Sequence, residues 1–119
     1  MVREIMSEED SLVVLWTSGD KEVALNMVFM YTLNSKLNDW WSDVRMIIWG
    51  PSSKLLSEDK ELQEKVQEMQ DAGILVEACR SCAENYRVVE DLEDLGIDVY
   101  YIGERFSEYM KEGRKVLSL

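Results

Sequence analysis

The chain has 119 residues, with 13 lysines and arginines against 24 aspartates and glutamates, a formal charge of −11 at pH 7. That length allows one domain with a real hydrophobic core, and so acidic a surface repels nucleic-acid phosphates and anionic lipid, so neither nucleic acid nor a membrane is an expected partner. Histidine is absent, which excludes Ser-His and Cys-His catalysis and imidazole zinc sites and removes the usual neutral-pH acid–base group.

The opening residues, MVREIMSEED, are too densely charged for a secretory signal or a membrane anchor. A loosely ordered segment over residues 1–10 and a cytoplasmic location are expected. Leu12-Val13-Val14-Leu15-Trp16 is a continuous β-prone run, and it ends in Thr17-Ser18-Gly19-Asp20, a turn whose aspartate can cap a following helix. That helix, Lys21 to Leu37, has almost no polar side: Val23, Ala24, Leu25, Met27, Val28, Phe29, Met30, Tyr31 and Leu33 surround it. A helix apolar all round must be covered on both faces. A sheet covers one; a second subunit is the expected cover for the other, with a fold-back of Trp40-Trp41 as the alternative.

A second strand runs from Val44 to Trp49 and stops at Gly50-Pro51, which reads as the start of a helix. Leu62, Val66 and Met69 then form one narrow apolar stripe in a helix from Glu58 to Gln70, closed by Gly73. Ile74 to Ala78 is the third strand. Val88, Leu92 and Leu95 repeat the helical spacing up to Gly96, and Ile97 to Ile102 and Val116 to Leu119 are the fourth and fifth strands. Strands alternating with helices predict right-handed crossovers and a mainly parallel sheet, an α/β fold in one domain over residues 1–119.

Both cysteines, Cys79 and Cys82, follow the third strand. Cys79 falls at the carboxyl edge of the predicted sheet, where open α/β folds place ligand sites. A helix beginning near Ser81 or Cys82 aims its amides and the positive end of its dipole at the Cys79 sulfur, and Arg80 adds a cation; Glu77 and Glu84 work against both. The other strand ends supply candidate pocket residues: Thr17 and Ser18, Gly50 and Ser52, and Gly103. Two cysteines without histidine are half a zinc site. A thioredoxin-like motif needs a proline beyond the cysteines, and the one proline, Pro51, precedes them. Packing as inert core thiols is the remaining alternative, and it suits Cys82 better than Cys79. A flavin phosphate on the turn at Ser18 is opposed by Asp20. No metal or cofactor is expected.

In order along the chain, LVVLWTSGD, VRMIIWGPSSKLL, AGILVEACRSCAENY and LEDLGIDVYYIG resemble the DsrE/DsrF-like family of small sulfur-relay proteins. The resemblance implies a three-layer α/β/α fold with a five-stranded parallel sheet, assembled as a homotrimer, a homohexamer or a related hetero-oligomer. It makes Cys79 the residue that carries sulfane sulfur as a persulfide between a donor and an acceptor protein. Cys82 departs from the relay subunits with small residues after the first cysteine. A thiol there can resolve a Cys79 persulfide, which would make the chain a thiol oxidoreductase instead of a passive carrier. Family members also tend to have glycine near position 87, where this chain has Arg87. An oligomeric assembly or regulatory module with structural cysteines is the alternative function.

Overall fold

The protein is described by a computed structural model over residues 10–119, so the expectation for the first ten residues lies outside the described residues except at Asp10. Five strands, β1 (Ser11–Trp16), β2 (Asp43–Ile48), β3 (Leu75–Cys79), β4 (Asp98–Tyr100) and β5 (Lys115–Ser118), pair in the order β4-β3-β2-β1-β5. Every pairing is parallel. From β1 through β4 the chain steps in one direction, so right-handed crossovers put all the intervening helices on one face of the sheet. The connection from β4 to β5 steps back across the sheet, and its helix must lie on the other face. The result is an α/β/α fold with unequal outer layers.

On the thicker side, the strand residues Leu12, Val14, Trp16, Val44, Met46, Ile48, Val76, Ala78 and Val99 form the main core with the helices. The first helix, α1, occupies residues 21–37 as expected; it is α-helical over Lys21–Val23 and Met30–Leu37 and a π-helix over Ala24–Phe29. The Asp20 carboxylate accepts the amides of Glu22 and Val23 at 2.8 and 3.3 Å, as its capping position predicts. Widening the turn brings both Val28 and Phe29 against the sheet, and Phe29 meets Trp16 edge-on with ring centroids 4.9 Å apart.

Beyond Phe29 the sheet-facing residues of α1 are the small Thr32 and Ser35. Larger apolar side chains point outward, with Met27, Met30 and Leu37 each half exposed or more. Trp41 does fold back, its indole N–H donating to the Tyr31 hydroxyl at 3.0 Å. The Trp40 ring stands 6.0 Å from that of Tyr31 and is itself 55% exposed. This covers one edge of α1 only. The remainder lines a groove of about 490 Å³ between Met27, Met30, Tyr31, Trp40, Leu117 and Leu119.

The helix start read at Gly50-Pro51 opens α2 (Pro51–Glu58), and the helix expected over Glu58 to Gln70 is α3 (Lys60–Asp71). Asp59 breaks the run and caps α3 by accepting the Leu62 amide at 3.0 Å, while Lys21 reaches Asp59 and Glu61 at 2.9 and 3.0 Å. Leu62, Val66 and Met69 are wholly inaccessible, each worth roughly 2 kcal/mol of apolar burial. After β3 come α4 (Arg80–Tyr86) and α5 (Val89–Glu93), shorter than the spacing of Val88, Leu92 and Leu95 implies. Arg87 closes α4 in the left-handed conformation, φ 59° and ψ 44°. Glycine adopts that conformation freely, and an arginine there gives up about 1 kcal/mol.

Among the described residues the second face of the sheet carries a single helix, α6 (Gly103–Lys111), absent from the sequence reading. Its buried residue Tyr109 and the capping residue before it, Ile102, pack with Val13, Ile47 and Cys79. Phe106 adds an edge-on contact to Trp49, centroids 5.4 Å apart.

Candidate functional site

Cys79 is the last residue of β3, and it is paired in register with Tyr100 of β4. The chain leaving β3 turns onto the thick face through α4, whereas the chain leaving β4 turns onto the thin face through α6. Adjacent strands whose connections part in this way open a crevice at their carboxyl ends, the place where α/β sheets bind and react. Strand alternation puts Ala78 in the thick core and the Cys79 side chain on the thin side. The thiol is therefore covered by the layer that α6 supplies, and Cys79 is 5% exposed.

The helix after Cys79 begins at Arg80, one or two residues earlier than expected. Cys79 itself is the N-cap of α4, with extended dihedrals, so Cys82 falls in the first turn and its sulfur returns toward the strand end. The Gly50 amide donates to Cys82 Sγ at 3.3 Å. Burial and a hydrogen-bonded contact with the Cys79 thiol push the Cys82 thiol above its ordinary range, while the Gly50 amide pulls the other way. Both cysteines are free thiols. Two sulfurs and one backbone donor thus meet at the ends of β2 and β3.

Gly50 takes φ 79° and ψ −142°, a glycine conformation that turns its amide toward the cysteines. The other candidate pocket residues serve the loops. The Leu119 carbonyl accepts the amides of Thr17 and Ser18 at 3.0 and 3.2 Å and the Thr17 hydroxyl at 3.2 Å. Ser18 Oγ accepts the Asp20 amide. Buried Ser52 donates its hydroxyl to the Trp16 carbonyl at 2.6 Å and ties α2 to the end of β1. Gly103 is exposed at the start of α6, with open space where a side chain would stand. Arg80 pairs with Glu84 at 3.1 Å and approaches Glu93 at 4.0 Å; its charge is engaged along the helix surface.

One group that the sequence reading weighed only as a repulsive charge dominates the thin face. Glu77, two residues before Cys79 and pointing the same way, is completely buried. Its carboxylate accepts three hydrogen bonds: from Tyr100 at 2.6 Å, Tyr109 at 2.8 Å and Arg105 at 2.8 Å. Arg105 also stacks over the Tyr100 ring, 4.2 Å from its centroid. Arg45 donates to the Tyr109 hydroxyl at 3.1 Å. Burial, reinforced by the Glu77 carboxylate, raises both tyrosines above their ordinary range, so both phenols remain protonated donors. Ile102, Phe106 and Tyr109, at spacings of four and three, are the sequence signal for α6.

Among the described residues no helix is long and apolar enough to cross a membrane, and no group of three or more metal-binding side chains comes together.

The fold has counterparts among known proteins. A conserved protein of unknown function, BT1422 from Bacteroides thetaiotaomicron, is 44% identical, aligned over 96% of this chain and 98% of its own, with a TM-score of 0.91. MTH1491 from Methanobacterium thermoautotrophicum, also of unknown function, shares the fold at 19% identity over 92% of this chain and 98% of its own, TM-score 0.73. The ychN protein of E. coli does so at 11% identity, over 92% and 97%, TM-score 0.64. No protein with a curated description matches. The profile of the DsrE/DsrF-like family covers residues 10–119, nearly the whole length, and the chain belongs to that family.

Proposed function

We propose that the protein is a cytoplasmic sulfur carrier in which Cys79 accepts sulfane sulfur as a persulfide and Cys82 is the resolving thiol. The Cys79 thiolate attacks the outer sulfur of a donor persulfide, forming Cys79–S–SH and releasing the donor as its thiolate. An acceptor thiolate then takes the outer sulfur, which restores Cys79. Alternatively, the Cys82 thiolate attacks the inner sulfur; hydrosulfide leaves, the sulfane sulfur is reduced, and the two cysteines are oxidised to a disulfide that an external dithiol reopens. The observation that carries this reading is that Cys82 packs against the cluster that holds Cys79, with its sulfur on the Gly50 amide at the ends of β2 and β3. The Gly50 amide supports it by favouring the thiolate that must attack.

Mass spectrometry after exposure to a low-molecular-weight persulfide tests it. The expected result is one added sulfur atom on Cys79 in a Cys82→Ser variant, and release of hydrosulfide with loss of both free thiols in the wild type. Equal loading of a Cys79→Ser variant refutes it.

The burial of Cys79 favours a second reading, an assembly module with structural cysteines. It predicts that both thiols resist alkylation in the native protein. The outward methionines of α1 support homo-oligomerisation, as a trimer or a hexamer, under either reading. A Met30→Glu variant is expected to fall to monomer mass in light scattering, and an unchanged mass removes this face from the interface.

A further inference from the structure

A carrier cysteine that must meet a partner's sulfur is 5% exposed, so something has to move before it reacts. The thin face shows what. Among the described residues its only helical cover is α6, whose Tyr109, with Ile102 just before the helix, packs in the cluster that holds Cys79. Phe106, edge-on to Trp49, adds a partly buried apolar contact, and the remaining attachment is polar. Glu77 receives Tyr109 and Arg105 from α6 and Tyr100 from β4, so one carboxylate joins the helix to both strands of the crevice.

Such a cluster is an expensive way to hold a helix. A buried, fully paired carboxylate contributes little net stability over an apolar side chain of similar volume, yet it costs several-fold more to break than to replace. What it supplies is directionality: the helix is either docked, with three donors satisfied, or released. An apolar seal would loosen by degrees.

The ends of α6 allow that release. Gly103 at its start has no neighbour within 4 Å of a side-chain position, and Gly113 after it takes φ 87° with equally open surroundings. The outer side of α6 faces solvent, and Arg105, the link that pairs with Glu77, is 45% exposed at its side chain, within reach of a docking protein's carboxylate.

We infer that Glu77 is a positioning residue that latches α6 over Cys79, and that release of this latch governs access of a sulfur donor to the thiol. The inference rests on the reading of Cys79 as the sulfur acceptor. It assigns to Glu77, Tyr109 and Arg105 control of when Cys79 reacts, not a part in the chemistry.

The test is the second-order rate of Cys79 alkylation by N-ethylmaleimide in a Cys82→Ser background, measured in parallel with loading by a persulfide donor. Removing one charge-assisted hydrogen bond from the latch increases the open population by about 10- to 100-fold. Glu77→Gln is expected to accelerate both reactions within that range. Tyr109→Phe and Arg105→Met, which leave the carboxylate in place, are expected to accelerate them by about 5- to 20-fold and decide the matter if Glu77→Gln does not fold.

Val66→Ala, which weakens the thick core, separates the latch from general loss of stability. It should leave the alkylation rate within about twofold of the parent, because opening α6 does not require the thick core to unfold. The accelerated rates should also be nearly flat in low urea, the mark of a local opening that exposes little surface. If all three latch variants react no faster than Val66→Ala, or their rates rise with urea as steeply as global unfolding does, the latch is refuted. Alkylation reads access without needing sulfur. Latch-dependent alkylation with no persulfide on Cys79 therefore preserves the latch and removes the sulfur reading, and persulfide loading that ignores the latch does the opposite.

Discussion

Gly50 offers a sharp test of how the crevice is built, because its conformation and its surroundings predict opposite things. At φ 79° and ψ −142° it occupies the mirror image of an extended L-residue, a region that side chains of L-handedness avoid. Space is not the obstacle, since a Cβ there would meet nothing nearer than the Thr17 carbonyl oxygen at 4.0 Å. The whole cost of Gly50→Ala is therefore backbone strain, about 1–3 kcal/mol. In a chain of this size that lowers Tm by roughly 5–15 °C. Urea denaturation with an unchanged m-value is the assay. Gly103→Ala is the control: it also meets open space, at a position without positive φ, and should stay within about 0.5 kcal/mol of wild type. A D-alanine introduced at position 50 by semisynthesis should restore the stability that L-alanine loses. The reasoning fails if Gly50→Ala matches wild type, or if the D-residue is no better than the L-residue. Relaxing the strain would also swing the amide away from Cys82, so the hydrosulfide-releasing step should slow in the same variant.

Other outcomes follow from the same geometry. Tyr100 and Tyr109 have phenols raised above the ordinary value of 10, so their contribution to stability is intact below about pH 10 and is lost as pH rises through the raised values. Absorbance titration at alkaline pH should show two of the five tyrosines ionising only with unfolding, and the double Phe variant should lose that coupling. Asp20→Ala removes the acceptor for the Glu22 and Val23 amides and should cost about 1 kcal/mol, with faster hydrogen exchange confined to the first turn of α1; Asp20→Asn should retain most of the cap.

The thick half of the molecule was legible in the sequence because its signals are local. An apolar run ended by a capping aspartate gave β1 and the start of α1, and the Leu62, Val66, Met69 stripe gave the buried face of α3. The start of α3 was expected at Glu58 and falls at Lys60, because a single capping residue, Asp59, changes no periodicity. The thin face was harder. Its helix shows only Ile102, Phe106 and Tyr109 among charges, and its anchor is a carboxylate, which the sequence alone presents only as a charge opposed to a thiolate. Only the pairing of β3 with β4 and the return of α6 bring Tyr100, Arg105 and Tyr109 to it. Cys79 was placed by its strand end. Its contact with Cys82 depends on α4 beginning at Arg80, a difference of one or two residues, each of which rotates the second sulfur by about 100°.

The strand order carries a consequence for how the chain is made. Among the described strands β1 is the first synthesised, and it ends inside the sheet, between β2 and β5. Until β5 has left the ribosome and crossed the whole sheet, β1 stands as a bare edge whose Leu12, Val13, Val14 and Leu15 amides and carbonyls on that side await partners. An apolar edge of that kind recruits strands from neighbouring chains. The last of the five strands is thus also the shield against aggregation, and the return from β4 to β5 is the interval in which nascent copies are most exposed to one another.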